Sequence, residues 1–416
     1  MNSNMTQGVS RRSFMRILGA ASAAATTFPA FAGIQQPATQ APTPSGRRGS
    51  MRGMQLSPDT VIISSNENPL GPAQSALTTI CSTATLGGRY HYDEYVKTIA
   101  VFNEQFGLKK DYSALFPGSG GPLDLALMSN IGPDKPLVYG DPSYEQGWRA
   151  AETMKAPKYP VPLTATYAHD VKAMLKAHPS PGAYYIVNPN NPTGTMTPKA
   201  DIVWLVNNKP KGSVVIIDEA YHHFSNDESC IDLVAQDKDV IVMRTFSKIY
   251  GMAGIRAGVA VARPDLIERF GNVGGPSRSL ASISITSAAA ARASLQDKEL
   301  VPLRKKINSD IRSETLEFLT KHGYKIVPGS QGNMFMVDVK RPGKEFQTAM
   351  LKENVAIGRT WSAMPNYVRV TVGTKAEMEK FQTAFVKCMD MPPGAANGAA
   401  SLHLPEFHVP SELHRG

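Results

Sequence analysis

Lys248 stands where a lysine amine can do covalent chemistry. It follows the apolar run at residues 240–243 and the short segment R-T-F-S, which predicts a position just beyond the end of a strand. An amine held there can form an imine. Most lysines in loops are ordinary surface residues, so the interpretation depends on the residues around this one.

Several residues near Lys248 in the sequence have the chemistry to bind a phosphate. Ser247 supplies a hydroxyl, and Arg256 supplies a guanidinium beyond two glycines that permit a tight turn. The glycine-rich segment 118–121 leaves backbone N–H groups unobstructed, and a helix beginning near Pro122 would add its N-terminal dipole. A dinucleotide loop and a plain turn remain open for this segment, although G-S-G-G-P lacks the spacing G-x-G-x-x-G.

Asp218 directly follows the apolar run at residues 214–217, where burying a carboxylate without a partner would be costly. A protonated pyridine nitrogen would be a suitable partner, because the pair keeps the ring able to accept electrons from a substrate α-carbon. A helix N-cap at the strand end is the alternative for this aspartate taken alone.

These residues require a sheet whose strand ends lie side by side. Short apolar runs alternate with longer helical stretches, a pattern typical of a sheet covered by helices on both faces, in which ligands bind at the carboxyl ends of the strands. The predicted strands are residues 112–116, 137–139, 184–187, 214–217, 240–243 and 258–262. Polar clusters follow at residues 118–121, 141–144, 188–194, 218–221 and 245–248.

The pattern changes near residue 290 and predicts a second, smaller α+β lobe. A long amphipathic helix with Leu300, Leu303 and Ile307 on its apolar face precedes predicted strands at residues 324–327, 334–337 and 367–372. We therefore predict a large domain over residues 91–288 and a small domain over residues 289–391. Residues 56–90 are expected to pack on the small domain.

The first 32 residues have the features of an export signal. S-R-R-S-F-M at residues 10–15 precedes a weakly apolar run and the small-residue site A-F-A at residues 30–32. This order resembles a twin-arginine signal, which is read by the export machinery that carries folded proteins. We expect removal of residues 1–32 and a periplasmic mature protein, with a disordered basic N-terminus as the alternative.

Composition and charge indicate which classes of partner the chain is expected to bind. Without residues 1–32 the chain loses three arginines and no acid, so its formal charge falls from +9 to +6. The absence of a long Lys/Arg run or a recognition motif disfavours nucleic acid and favours a small acidic substrate. No stretch approaches the roughly 20 apolar residues of a membrane span, so stable membrane insertion is not expected.

The three cysteines are too few and too far apart for a complete disulfide framework or a familiar metal site. Cys81, Cys230 and Cys388 are expected to be buried thiols. A single pair in an oxidising periplasm remains open, because the sequence alone does not choose one.

Both ends of the folded region are bounded by segments of biased composition. Residues 33–55 are rich in Pro, Gly, Ser and Thr, which predicts a flexible linker after the signal. Residues 392–416 are rich in Pro, Gly and Ala without periodicity, which predicts a disordered tail.

Motifs along the chain resemble the class I/II aminotransferases. Three of them are N-P-N-N-P-T-G at residues 188–194, D-E-A-Y at 218–221 and R-T-F-S-K…G-I-R at 244–256. Three more are similar to the histidinol-phosphate aminotransferase branch: N-E-N-P-L-G-P at 66–72, R-Y at 89–90 and Y-V-R-V-T-V-G at 367–373. The resemblance covers residues 60–388 and, because the motifs occur in order, is specific.

The resemblance implies a fold-type I pyridoxal-phosphate (PLP) enzyme: a large α/β domain with a mixed, mostly parallel seven-stranded sheet, and a small α+β domain. It implies Lys248 as the Schiff-base lysine and proton carrier, and Asp218 on the pyridine nitrogen. Tyr90 is similar to a tyrosine that reaches the phosphate of the other subunit, which implies a homodimer. The other implied cofactor contacts are Asn191 and Tyr221 on the phenolic oxygen, Tyr144 on the ring face, and Ser119, Gly120, Thr245, Ser247 and Arg256 at the phosphate. For Tyr144, ordinary core packing is the alternative.

Arg369 is the candidate substrate receptor. It alternates with valines in the predicted strand at residues 367–372, and the resemblance implies that it binds the anionic group of the substrate; a structural ion pair is the alternative. The resemblance also implies a contact from Asn191, and Arg359 is a candidate for a second positive charge.

The expected reaction is amino transfer between an anionic amino donor and a 2-oxo acid. The donor is an α-amino acid or a phosphorylated amino alcohol such as histidinol phosphate. Two departures from that branch leave the donor open: G-S-G-G-P replaces an acid-bearing phosphate loop, and the segment 359–369 is short. A decarboxylase, lyase or racemase on the same site, and a non-catalytic secreted binding protein, are the alternatives.

Overall fold

The structure, a computed structural model, describes residues 56–274 and 283–394. The predicted export signal at residues 1–32, the linker at 33–55 and most of the tail at 392–416 lie outside the described residues. None of the helices in the described part of the chain is long and apolar enough to cross a membrane.

Runs of β-branched and aromatic residues form the strands. They are β1 (Val61–Ile63), β2 (Ser113–Phe116), β3 (Leu137–Asp141), β4 (Lys158–Pro162), β5 (Ala183–Val187), β6 (Val214–Asp218), β7 (Val240–Thr245), β8 (Gly258–Val261), β9 (Met334–Asp338), β10 (Val355–Ile357) and β11 (Tyr367–Thr371).

The helices alternate with the strands in the first part of the chain and dominate the last part. They are α1 (Gln74–Ala84), α2 (Tyr92–Phe106), α3 (Gly120–Met128), α4 (Gln146–Thr153), α5 (Val171–Ala177), α6 (Lys199–Asn208), α7 (Ile231–Ala235), α8 (Pro264–Gly274), α9 (Ile285–Gln296), α10 (Leu300–Lys321), α11 (Gly343–Lys352) and α12 (Lys375–Asp390).

The larger sheet contains seven strands within the described residues, in the order β2-β8-β7-β6-β5-β3-β4. Strand β8 is antiparallel to both of its neighbours, and the remaining pairs are parallel. This mixed, mostly parallel sheet with helices around it confirms the predicted fold class. It also places the carboxyl ends of β5, β6 and β7 next to one another.

Alternate residues of the central strands supply two hydrophobic cores, one on each face of the sheet. In β6, Val215 and Ile217 belong to one core, and Val214 and Ile216 belong to the other. All five residues of β6 are buried, as the continuous apolar run requires for a strand covered on both faces. The sheet is therefore a rigid platform for the polar residues that follow its strands.

The smaller α+β unit has two short sheets, β9 antiparallel to β11 and β1 parallel to β10. Helices α11 and α12 cover them over a separate apolar core. The first residues of the chain reach this unit through β1, whereas α1 lies against α9 and contributes Ala76 to a core of the larger sheet.

Three features of the structure differ from the prediction. Residues 324–327 do not form a strand, because only Ile326 makes a bridge, to Val337. Strand β4 was not predicted, since its two prolines suit only the sheet edge on which it lies. Leu303, placed on the apolar face of α10 by the sequence, is 57% exposed.

The cysteines are unbonded thiols. Cys230 and Cys388 are buried, as expected, whereas Cys81 on α1 is exposed.

Candidate active site

The polar clusters converge at the carboxyl edge of the larger sheet. Asp218 is the last residue of β6 and lies in register with Val187 at the end of β5 and Met243 in β7. The segment that contains Asn191 follows β5, and Lys248 follows β7. The neighbouring strands β5, β6 and β7 thus bring together three residues that are distant in the sequence.

Asp218 is a buried carboxylate that lacks a strong partner of opposite charge. It is 5% exposed, and it accepts hydrogen bonds from Ala220 N at 3.1 Å and from the Tyr185 hydroxyl at 3.3 Å. Burial raises its pKa to about 6, against the effect of these bonds and of the Lys248 charge. The next helical turn, the 3-10 segment His222–Phe224, is capped by Tyr221, so Asp218 is not a helix cap.

The Lys248 amine lies over the ring of Tyr221. Its Nζ is 5.4 Å from the ring centroid and donates a hydrogen bond to the Ser65 carbonyl oxygen at 3.3 Å. The amine is thus held among Tyr221, Ser65 and the Asp218 charge at the mouth of the sheet. A tethered amine in this position is able both to bind a carbonyl carbon and to exchange a proton with it.

Asn66 is a residue of the site that the sequence reasoning missed. Its Nδ2 donates to the Tyr221 hydroxyl at 3.1 Å, and its Oδ1 accepts from Thr371 Oγ1 at 3.0 Å. It is 1% exposed and has the left-handed φ of 53°, which asparagine tolerates better than most residues. The motif N-E-N-P at residues 66–69 was a signal for it, but gave no role. Asn66 links the site to β11.

The predicted phosphate-binding residues form a cup beside Lys248. Arg256 Nη1 donates to Ser247 Oγ at 3.4 Å, and Thr245 Oγ1 donates to Ser247 Oγ at 3.0 Å. Ser119 caps helix α3, which begins at Gly120, so free N–H groups of this helix face the same region. Two hydroxyls, a guanidinium and a helix N-terminus form a donor set suited to a phosphate.

Glycine is required at the floor of this cup. A Cβ on Gly118 would collide with the guanidinium of Arg256, and a Cβ on Gly258 would lie 2.5 Å from Ser119 N. Arg256 itself has a φ of 64°, a left-handed backbone conformation that costs a non-glycine residue roughly 1–3 kcal/mol. Such strain is typical of functional positions, and here it directs the guanidinium towards Gly118.

The other two predicted tyrosines, Tyr144 and Tyr90, have different positions. Tyr144 packs against a core of the sheet, and burial raises its pKa well above the ordinary value, with the charges of Asp218 and Tyr221 close by. It therefore lies beside the site. Tyr90 is 81% exposed and stacks on Tyr92 with the ring centroids 5.6 Å apart, so it lies on the surface of the single chain.

Arg369 is buried next to Asn191, as the candidate receptor would require. Its Nη1 donates to Asn191 Oδ1 at 2.8 Å and its Nη2 to the Ser64 carbonyl at 2.5 Å, and its Nε has no partner. It is 4% exposed, and burial lowers its pKa to about 10. In the described part of the chain no carboxylate pairs with Arg369, which disfavours the alternative of a structural ion pair.

Arg359 has a partner that the sequence reasoning did not foresee. Both of its Nη atoms lie 2.8 Å from the carboxylate oxygens of Glu145, and its guanidinium stacks on Trp361. The second positive charge expected from Arg359 is therefore compensated in the structure. Glu145 directly follows Tyr144, but the sequence offered no signal for a partner 214 residues away.

Comparison with known proteins assigns the family. Residues 58–385 match the family described as aminotransferase class I and II. The chain belongs to this family. It is therefore a PLP-dependent aminotransferase, and the decarboxylase, lyase, racemase and binding-protein alternatives are not supported.

Relatives of this aminotransferase include proteins of more than one specificity. It is 31% identical over 337 residues to histidinol-phosphate aminotransferase 1 of Cupriavidus pinatubonensis. This alignment covers 79% of this chain and 88% of the relative. It is 29% identical over 347 residues to an aromatic amino acid aminotransferase of Cutibacterium acnes. That alignment covers 80% of this chain and 96% of the relative.

Solved structures share the fold. The histidinol-phosphate aminotransferase of Sinorhizobium meliloti, solved in complex with pyridoxal-5'-phosphate, superposes with a TM-score of 0.72 at 22% identity. The match covers 81% of this chain and 92% of that chain.

The site residues fit PLP. Asp218 offers a buried carboxylate with a raised pKa to a pyridine N–H, and the cup at Gly118 offers donors to a phosphate. Lys248 offers an amine to the aldehyde, and this amine lies over the Tyr221 ring. When bound, PLP withdraws electrons from the substrate α-carbon and so acidifies its C–H bond.

Proposed function

We propose that the enzyme transfers an amino group between an anionic amino donor and a 2-oxo acid, and that Arg369 binds the anionic group. The observation that carries this proposal is the burial of Arg369 beside Asn191, without a carboxylate partner in the described residues. A buried guanidinium with an unpartnered Nε favours a planar anion as its ligand. The names of the two relatives support two donor classes, an α-amino acid and a phosphorylated amino alcohol such as histidinol phosphate.

The roles of the site residues form part of the proposal. Lys248 would hold the cofactor covalently and, when released, move a proton at the substrate α-carbon. Asp218 would keep the ring nitrogen protonated. The ring N–H would in turn give this buried carboxylate the partner that it lacks. The remaining residues would fix the cofactor: Tyr221 and Asn191 near its phenolic oxygen, Tyr144 on its ring face, and Ser119, Gly120, Thr245, Ser247 and Arg256 on its phosphate.

Lys248 is suited to a proton transfer because its amine is tethered but not locked. The hydrogen bond to the Ser65 carbonyl leaves the amine its lone pair when it is neutral. The Tyr221 ring beneath it fixes the side of the site on which it acts. A base tethered at the site would not have to be brought there in each turnover.

We propose a homodimer in which Tyr90 of each chain contacts the cofactor phosphate of the other. The segment from α1 through Tyr90 to α2 exposes several large apolar side chains, which supports an interface between two copies. They are Leu77, Leu86, Tyr90, Tyr92 and Val96. The predicted boundary between the large and small domains near residue 289 likewise stays a proposal.

Amino transfer itself is tested by offering several amines with several 2-oxo acids to the purified enzyme and identifying the products. The proposal expects an amino acid formed from the oxo acid in proportion to the carbonyl compound formed from the amine. A clear preference for uncharged amines would contradict the role of Arg369.

Replacing Arg369 with lysine should lower kcat/KM for the best anionic donor at least about tenfold, or roughly 1.4 kcal/mol of transition-state binding. Lysine keeps the charge but loses the planar fork that orients the anion. The absorption of the bound cofactor should not change, since Arg369 is not among its proposed contacts. Steady-state kinetics on both proteins measures the effect, and equal efficiency would contradict the proposal.

Export is a further proposal, supported by the S-R-R-S-F-M segment at residues 10–15 and the A-F-A site at 30–32. Changing Arg11 and Arg12 to lysine should leave active, uncleaved enzyme in the cytoplasm. The matched control is Arg16→Lys, which changes an arginine outside the pair. Cell fractionation and N-terminal sequencing measure the outcome, and a mature wild-type enzyme that still contains Arg11 would contradict export by this route.

A further inference from the structure

A bidentate ion pair stands beside the proposed substrate receptor. Arg359 Nη1 and Nη2 each lie 2.8 Å from an oxygen of Glu145, and the Glu145 side chain is only 12% exposed. The two partners are 214 residues apart in the chain. A paired fork of this geometry holds both side chains in one arrangement.

Trp361 connects this pair to Arg369. The guanidinium carbon of Arg359 is 5.5 Å from the centroid of the indole, and that of Arg369 is 5.4 Å from it. The indole is held by its own N–H, which donates to the Ser143 carbonyl oxygen at 3.1 Å. The two guanidinium groups are therefore placed against one rigid aromatic ring.

The two arginines beside this ring differ in whether a carboxylate balances their charge. In the described residues, Arg359 is paired with Glu145, whereas no carboxylate pairs with Arg369. Both charges of the pair nevertheless reach Arg369: burial has the largest effect and lowers the pKa of that guanidinium, the Arg359 charge lowers it further, and the Glu145 charge opposes this by raising it. The region therefore offers one uncompensated positive charge to a ligand.

We propose that the amino substrate carries one carboxylate, held by Arg369, and an uncharged side chain, and that Glu145 sets this preference by neutralising Arg359. This inference rests on the proposed function of Arg369. Glu145 acts through Arg359 and is a positioning residue.

A second anionic group on the substrate meets an electrostatic obstacle at this pair. If it binds Arg359 beside Glu145, two negative charges crowd one guanidinium. If it displaces Glu145, it leaves a mostly buried carboxylate without its partner, which is strongly unfavourable.

The single uncompensated charge also distinguishes the two donor classes of the proposed function. A phosphate monoester carries about −1.5 to −2 charges near neutral pH, whereas a carboxylate carries one. A single uncompensated guanidinium matches the carboxylate better. The α-amino acid is thus preferred over the phosphorylated amino alcohol.

The test compares donors that differ only in the distal charge: glutamine with glutamate, and asparagine with aspartate, each with the same 2-oxo acid. The wild-type enzyme should favour the amide of each pair. Glu145→Gln, which frees Arg359, should raise the acid-to-amide ratio of kcat/KM at least about tenfold, mainly through KM. Glu145→Asp retains the charge and should keep the discrimination. The matched control is Glu152→Gln, in helix α4, which begins directly after Glu145. Glu152 pairs with the exposed Lys158, and the variant should leave the ratio unchanged.

A binding measurement separates charge selection from catalysis. Calorimetry with succinate and butyrate, two unreactive acids of equal chain length, should show that Glu145→Gln strengthens succinate binding about tenfold relative to butyrate. A wild-type preference for glutamate, or an unchanged ratio in Glu145→Gln by both methods, would overturn the inference. Absence of amino transfer from these four donors and from every other amine in the screen of the proposed function would instead count against that function, while the succinate-to-butyrate comparison would still decide the role of Glu145.

Discussion

Replacing Lys248 with alanine should reduce amino transfer by about 10³-fold or more. The variant loses both the amine that holds the cofactor covalently and the base that moves the α-proton, and a positioned general base alone contributes roughly 10²–10⁴-fold. The cup at Arg256 and the carboxylate of Asp218 remain, so the variant should still bind PLP without a covalent bond. Single-turnover kinetics and the absorption spectrum of the purified variant measure the two effects.

Lys211→Ala is a suitable control for this substitution, because Lys211 is an exposed lysine in the turn before β6. It should leave both turnover and spectrum unchanged. Turnover by Lys248→Ala within tenfold of the wild type would show that another residue carries the proton.

Replacing Asp218 with asparagine should have opposite effects on activity and on stability. With PLP bound, turnover should fall at least about a hundredfold, because a neutral amide no longer favours the protonated ring nitrogen. Without PLP, the variant should be more stable than the wild type near pH 7. The reason is that the buried carboxylate has a pKa of about 6, against 3.8 in the unfolded chain.

The pH dependence of this effect has a defined sign. Between pH 4 and pH 6 the folded wild type without PLP holds a proton on Asp218 that the unfolded chain has released, so its stability falls as the pH rises through this window. Above it the loss is complete and on the order of 3 kcal/mol. The asparagine variant lacks this loss.

Urea unfolding of the PLP-free proteins at pH 4.5 and pH 7 measures the difference. Asp134→Asn, at an exposed aspartate, is the control and should follow the wild type. An asparagine variant of Asp218 that is less stable than the wild type at pH 7, or that turns over normally, would contradict the role assigned to this carboxylate.

The side chains at the carboxyl edge of the larger sheet were predictable, because the ends of buried strands are clearly marked in the sequence. Continuous apolar runs followed at once by Asp218, or after a short segment by Lys248, required those side chains to meet at neighbouring strand ends, and the structure has them there. The apolar runs also predicted a sheet covered by helices on both faces, whereas the family resemblance implied its mixed, mostly parallel, seven-stranded form. Where prolines interrupt the pattern, as in β4, no strand was predicted.

Contacts between distant segments were not predictable from one sequence. The Glu145–Arg359 pair joins the start of α4 to the segment before β11, and no local pattern marks the two as partners. Asn66 likewise reaches Tyr221 across 155 positions. For Tyr90 the limit is different in kind, since its proposed partner belongs to a second chain.

Sodium borohydride reduction of the active enzyme, followed by mass spectrometry of the modified peptide, tests whether Lys248 holds PLP. Reduction fixes the cofactor to the lysine that holds it. We expect a pyridoxyl adduct on Lys248, loss of activity in step with its formation, and no adduct in Lys248→Ala. An adduct on a different lysine, or an unmodified Lys248 in fully inactivated enzyme, would contradict it.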